Sequence, residues 1–228
     1  MLSFFLDLIF PPRCIACLAY LQAGALCDKC REAIPLNQTF FCGACGARRP
    51  QASKVCHQDQ PYILAAAGEY EAPALQALIR ALKFQGVRVA AEPLAELLVR
   101  YAKRLPLTPH PETLVVPVPL SVRRERERGF NQAALLAKPL ARAFRLTYAP
   151  RILRRVRHTA PQSKLRAHED RARNVAGCFA VAPDISLKGK RVWLVDDVTT
   201  SGNTLGEAAR ALRSAGARGI IAWTVAKA

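Results

Sequence analysis

The residues best equipped for chemistry lie in one run, Asp196-Asp197-Val198-Thr199-Thr200-Ser201-Gly202-Asn203-Thr204, directly behind the apolar stretch Val192-Trp193-Leu194-Val195. Two adjacent carboxylates close a strand there, and a hydroxyl- and glycine-rich turn opens a helix expected from Thr204 to Ala215. Loop amides, hydroxyls and a helix N-terminus together form a cradle for one phosphate. Asp196 and Asp197, exposed at the strand end, are positioned to accept from sugar hydroxyls or hold a magnesium ion. An ordinary helix start needs a single capping residue of these types, whereas Thr199 to Thr204 supplies a whole run of them. The glycines and lysine of a Walker loop are absent.

A second chemical feature is the cysteine pattern. Of eight cysteines, seven precede residue 57. Cys14-x-x-Cys17 and Cys27-x-x-Cys30 form a complete pair of knuckles, the spacing with which two tight turns present four thiolates to tetrahedral zinc. Cys42, Cys45 and Cys56 supply three more thiolates, and the fourth knuckle position falls on Asp59. His57 or Asp59 could complete that set, ligands could interleave between the two halves, or the set could stand empty. The expectation is one structural zinc per chain with a second bound more weakly, because a segment this poor in large apolar side chains needs metal to fold. Redox chemistry suits a lone C-x-x-C pair better than three pairs so close together.

Charge narrows the function further. Thirty-four Lys and Arg stand against seventeen Asp and Glu, a formal net charge of +17, which attracts polyanions. The excess is local: residues 121–173 carry fifteen basic and four acidic side chains, while residues 1–60 carry six and four. Either a solvated surface or a site for phosphate groups, of a nucleotide or of nucleic acid, explains such a stretch. A hydrophobic content of 51% excludes global disorder, and no stretch approaches the ~20 apolar residues of a membrane span. Leu2 to Phe10 is interrupted by Asp7, follows no basic residues and ends at Pro11-Pro12. It therefore reads as a short packed helix rather than a signal peptide, and the protein as cytoplasmic.

The elements that must carry these groups alternate in type. Strands are expected at Ile63–Tyr70, Leu114–Leu120, Ile152–Val156, Cys178–Val181, Val192–Val195 and Ile220–Val225. Helical spacing of Leu75, Leu78, Ile79 and Leu82, then helices over Val87–Arg104 and Asn131–Phe144, fill the intervals. The fold class is α/β: a parallel sheet with helices on both faces over residues 61–228, preceded by a small Cys-rich zinc module over residues 1–60. Ligands of such sheets bind outside the carboxyl ends of the strands, where the Asp196 run falls.

At these residues the chain resembles a known family. The acidic pair and its loop are similar to the phosphoribosyl pyrophosphate loop of type I phosphoribosyltransferases. Val116-Pro117-Val118-Pro119-Leu120, Arg128-Gly129-Phe130-Asn131-Gln132, Pro161-Gln162-x-x-Leu165, Arg171-x-x-Asn174 and the cysteine-rich start resemble the ComF branch, the competence-associated and GntX-like proteins. The resemblance covers nearly the whole chain and departs at Asp59, where many relatives have a cysteine.

It implies a magnesium-dependent transferase. Thr199, Thr200, Ser201, Gly202, Asn203 and Thr204 would hold the 5-phosphate, and Asp196 and Asp197 the ribose hydroxyls. Arg123, Arg124 and Arg128 would face the pyrophosphate. The stretch 157–174, with Gln162, Lys164, Arg166 and a catalytic Arg171, would close over the site. The acceptor is unidentified, and residues 61–110 together with the zinc module would form the hood that selects it. Lys83-Phe84 could face that pocket, although simple packing of Phe84 is the plainer expectation. Two other readings stay open: a sensor of phosphoribosyl pyrophosphate or nucleotide without turnover, and a protein handling single-stranded DNA with the uptake machinery.

Overall fold

A computed structural model describes residues 11–52, 56–57, 61–157 and 176–228. The Cys-rich segment opens with a short helix, α1 (Asp28–Glu32), followed by a hairpin of β1 (Phe40–Cys42) and β2 (Arg48–Arg49). The α/β part then runs β3 (Ile63–Glu69), α2 (Pro73–Phe84), a single 3-10 turn (Arg88–Ala90) and α3 (Ala91–Arg104). It continues with β4 (Thr113–Pro117), α4 (Val122–Arg128), α5 (Gln132–Ala143), β5 (Thr147–Tyr148), β6 (Leu153–Arg155) and β7 (Phe179–Val181). The last elements are β8 (Arg191–Val195), β9 (Val198–Thr199), α6 (Asn203–Ser214) and β10 (Gly219–Lys227).

The main sheet has the order β2-β1-β3-β10-β8-β4-β5, with β9 also paired to β10. From β3 to β5 every pairing is parallel, as continuous apolar strands joined through helices require. β1 and β2 add an antiparallel edge, with Phe41 opposite Leu64 and Cys42 opposite Ile63. The second half of the cysteine segment thus adds its hairpin to the edge of the sheet.

Two apolar layers cover the sheet. On one face α2, α3 and α5 bury Leu75, Leu78, Ile79 and Leu82, the helical stripe read from sequence, against Trp193 and Trp223. These two rings meet at 4.6 Å, tilted by 46°, and Phe144 meets Trp193 edge-on at 5.1 Å. On the other face α6 buries Leu205, Ala208, Ala209 and Leu212 with Phe41, Tyr62 and Leu64.

Three elements differ from the sequence reading. The stretch 152–156 and 178–181 forms no part of the parallel sheet: β6 and β7 pair antiparallel with each other, Leu153 opposite Val181 and Arg155 opposite Phe179. Three residues each, they are too short to bury two faces, so they stand as a ribbon beside α6. Its connection, 158–175, together with the opening 1–10, lies outside the described residues. The expected Leu2–Phe10 helix and the side chains of Gln162, Lys164, Arg166 and Arg171 fall there. Lastly, the arginines after β4 lie on a helix, α4, started by Ser121, whose Oγ accepts from the Arg124 amide, and ended by Gly129 at φ +77°.

Candidate functional site

Register brings the site together. Pro117 at the end of β4 lies opposite Val195 at the end of β8, so the chains leaving both strands emerge side by side. One of these carries the arginines of α4 and the other the acidic pair. Asn131 secures the first: its Nδ2 donates to the Val118 carbonyl at 3.1 Å while its Oδ1 caps α5 through the Ala133 amide.

The two carboxylates are not alike. Asp197 is 3% exposed in its side chain and forms an ion pair with Lys83 Nζ at 3.0 Å, reached from the last turn of α2. Its Oδ1 also accepts from the Val198 amide at 2.7 Å, while its Oδ2 is buried without a hydrogen-bond partner among the described residues. The expectation of two exposed carboxylates is therefore corrected, because Lys83 offsets the burial of one. Asp196 is half-buried, and its Oδ1 accepts from the Asp197 amide at 2.9 Å. Burial, reinforced by the Asp197 charge and opposed by Lys83, pushes its carboxyl up to about 7. Lys83 thus faces the site, but Phe84 does not pack the hood: it is 72% exposed.

Behind the pair, Asp196 and Val198 to Leu205 enclose a small polar cavity of about 30 Å³. Gly202 is the cap residue of α6, with φ +72° and no side-chain cap. With glycine as its cap residue, α6 starts without a side-chain oxygen from that position on its first turn. Asn203 Nδ2 is buried there without a partner among the described residues. The positive helix end, the Asn203 amide and a compact cavity suit one phosphate group.

The arginines divide by geometry. Arg123 is 82% exposed and donates to Glu127 at 2.8 Å on the outer face of α4. Arg128 is half-buried. Burial lowers its pKa, the Asp197 and Asp196 charges raise it, and Arg124 lowers it again, so these four groups share one electrostatic neighbourhood. Arg155, on β6, belongs to the same neighbourhood, with burial depressing its pKa and Arg124 and Asp196 acting on it. Sequence reasoning missed Arg155, which nothing in an Arg-rich run sets apart. Arg157 joins the two ends of the 158–175 connection by donating to the Ala176 carbonyl at 2.8 Å, and Glu207 of α6 accepts from the Gly177 amide at 2.6 Å.

The cysteines form two clusters of four. Cys14, Cys17, Cys27 and Cys30 make one; Cys42, Cys45, Cys56 and His57 make the other, with the ligand atoms of each set within 4.8 Å of one another. Tetrahedral zinc with ~2.3 Å bonds to sulfur and ~2.05 Å to nitrogen requires about 3.8 Å between sulfurs and about 3.6 Å between sulfur and nitrogen. The observed Cys17–Cys27 and Cys45–Cys56 separations are 3.7 and 3.8 Å, and Cys42 Sγ to His57 Nδ1 is 3.5 Å. Both sets fit zinc. His57 stands where the fourth ligand of the second set was open; Asp59 lies outside the described residues. In each cluster the first cysteine is buried, which opposes ionisation, yet amides across its knuckle outweigh that and bring Cys14 and Cys42 down to about 6.

Comparison with known proteins agrees with this arrangement. Residues 5–59 match the double zinc ribbon domain and residues 131–228 the phosphoribosyl transferase domain. Competence protein F of Haemophilus influenzae is 36% identical over 95% of this chain and 97% of its own. DNA utilization protein YhgH of Escherichia coli is 32% identical over 96% of this chain and 99% of its own. Competence protein ComFC of Bacillus subtilis is 39% identical over 47% of this chain and 41% of its own. No helix among the described residues is long and apolar enough to cross a membrane. A double zinc ribbon joined to a phosphoribosyltransferase-type sheet, with identity to such proteins from end to end, identifies this chain as a member of the ComF family of competence and DNA utilization proteins.

Proposed function

We propose that the chain is a magnesium-dependent phosphoribosyltransferase that binds phosphoribosyl pyrophosphate and passes its phosphoribosyl group to an acceptor. The observation that carries this reading is the uncapped N-terminus of α6, set beside Asp196 and Asp197. First-turn amides of α6 and the hydroxyls of Thr199, Thr200, Ser201 and Thr204 hold the 5-phosphate. The carboxylates accept from the ribose hydroxyls. Arg128, with Arg124 and Arg155 in the same neighbourhood, neutralises pyrophosphate; the arginine fork suits its oxygens. The buried, unpartnered Asp197 Oδ2 and its neighbour Asp196 fit a magnesium ion or a water bound to it. When bound, that ion supplies charge to the leaving pyrophosphate.

The bond from the anomeric carbon to pyrophosphate breaks, its electron pair leaving with pyrophosphate, and a bond to the acceptor's nucleophile forms as the acceptor gives up a proton. Positive charge aimed at the leaving group acts mainly in the transition state. The test combines thermal stabilisation by phosphoribosyl pyrophosphate and magnesium with pyrophosphate release across candidate acceptors. A saturating ligand at a hundredfold excess over its dissociation constant stabilises by about 2.7 kcal/mol. A melting temperature unmoved by ligand would overturn both this reading and that of a sensor.

A second reading, single-strand DNA handling, draws on the printed names of the relatives and on the arginines of α4. Such binding needs exposed stacking platforms beside positive charge. In the basic stretch Phe130, Phe144 and Tyr148 all pack against the core. Salt dependence separates the readings: a steep slope for DNA affinity without pyrophosphate release favours the second.

A further inference from the structure

The site described so far uses one side chain between the cysteine segment and the α/β part only implicitly. Tyr62, 3% exposed, lies just ahead of β3 and reaches both ways. Its ring carbons Cδ2 and Cε2 close on Gly43, inside the Cys42-x-x-Cys45 knuckle. A Cβ on Gly43 would stand 2.6 Å from the Tyr62 carbonyl oxygen and 2.7 Å from ring carbon Cε2. Its hydroxyl donates to the Gly202 carbonyl at 3.4 Å, and a Cβ on Gly202 would stand 2.6 Å from that hydroxyl. The Gly43 carbonyl oxygen itself would lie only 3.7 Å from that Cβ. Phe41, beside the knuckle, and Leu205, in the first turn of α6, share one buried cluster with Tyr62. The second cysteine cluster and the phosphate cradle therefore meet at one aromatic side chain, with glycine at each contact.

We propose that Tyr62 is a positioning residue that makes the Cys42/Cys45/Cys56/His57 metal knuckle a mechanical support of the phosphate cradle, so that metal retention there and phosphate binding at α6 are coupled. The proposal rests on reading the α6 N-terminus as a phosphate site. The physical reason is close packing: Gly202 holds its left-handed backbone against the Tyr62 hydroxyl, and the same side chain fills the space that a Cβ on Gly43 would need. Binding at one side must then alter affinity at the other by the same factor. The first cluster, whose short helix α1 instead pairs with α3 through Arg31 and Glu96, has no such contact among the described residues.

The experiment follows zinc transfer from the intact protein to a chromogenic chelator; the phase lost in Cys45→Ser marks the second site. Without ligand, Tyr62→Phe, which keeps the ring and removes only the hydroxyl, should speed that phase at least threefold and leave the other phase unchanged. Gly202→Ala should speed it at least tenfold, and the double variant should be slower than Gly202→Ala alone, because the hydroxyl that the new methyl strikes is gone and only the backbone strain at φ +72° remains. In the wild type, saturating ribose 5-phosphate should slow the second phase at least fivefold and leave the first unchanged. An unaltered second phase in Tyr62→Phe overturns the coupling, whether or not Gly202→Ala folds. If the ligand-free effects appear but calorimetry detects no ribose 5-phosphate binding, the phosphate reading falls and the mechanical link stands.

Discussion

The two cysteine clusters have the same ligand geometry and the same buried, acidified first cysteine, yet they sit in different mechanical surroundings. Around Cys14 to Cys30 the chain is held by short local bonds, such as Cys14 N to the Ala19 carbonyl and Ile15 N to the Ala25 carbonyl, and by apolar contacts of Leu26 and Ile34. Around Cys42 to His57 the chain is a sheet edge: Cys42 itself pairs with Ile63, and the Lys227 ammonium lies 4.9 Å above the Phe41 ring. A metal in the first cluster orders its own segment. One in the second fixes the edge on which the candidate site leans. Repetition of a motif in sequence does not imply repetition of its role.

Removing a ligand from each cluster is the strongest test of that contrast. Cys14→Ser and Cys42→Ser should each reduce zinc from two to one per chain by elemental analysis. Only Cys42→Ser should weaken binding of phosphoribosyl pyrophosphate, by tenfold or more in calorimetry; equal losses would break the comparison. Lys83→Ala probes the support of the same loop from the opposite side. It leaves Asp197 buried and without its cation, and should cost about 3 kcal/mol in denaturant unfolding.

Acidity gives a smaller effect with a definite sign. The Asp196 carboxyl, raised to about 7, is partly protonated near neutrality, whereas ribose hydroxyls and magnesium both favour the carboxylate. Affinity should climb from pH 6 to pH 8 and then level off, and Asp196→Asn should flatten the profile. Ligand-free stability should move the other way. The native carboxyl keeps its proton above the unfolded value of ~3.9, so its contribution is full below pH 4 and is lost as pH rises to about 7. The least effect is expected at Arg123, whose pair with Glu127 is exposed to solvent and screened by it. Arg123→Ala should lower affinity less than threefold where half-buried Arg128→Ala lowers it tenfold.

Patterns that repeat along the chain were the legible ones. The stripe Leu75, Leu78, Ile79 and Leu82, the apolar strand before Asp196 and the C-x-x-C pairs each carry a local period or spacing, and each lies where its pattern implies. His57 was legible only as one of two options, because a ligand beside Cys56 has no spacing to announce it. What sequence could not supply were contacts made across the fold. The reach of Lys83 to Asp197 depends on where α2 ends, and Tyr62 looks like any aromatic at the start of a strand. Arg155 differs from the neighbouring Arg154 only because β6 turns one residue inward and the other out.

The central position of β10 has a consequence for how the protein is made. β3 and β8 have no contact as neighbours in the sheet; β10 enters between them, with Ile221 beside both Ile63 and Trp193. At ~5–20 residues per second on the ribosome, Ile63 waits on the order of ten seconds for its partner. For most of that interval the apolar edge of β3 stands open to other chains, and the edge of β8 joins it only near the end. The strand that completes the acidic site, holding Asp196 and Asp197 through Trp223 and Val225, is also the one that closes this window. The nascent chain therefore carries an unpaired apolar edge until its last strand emerges, and yield in cells should depend on chaperone supply more than on the equilibrium stability of the finished fold.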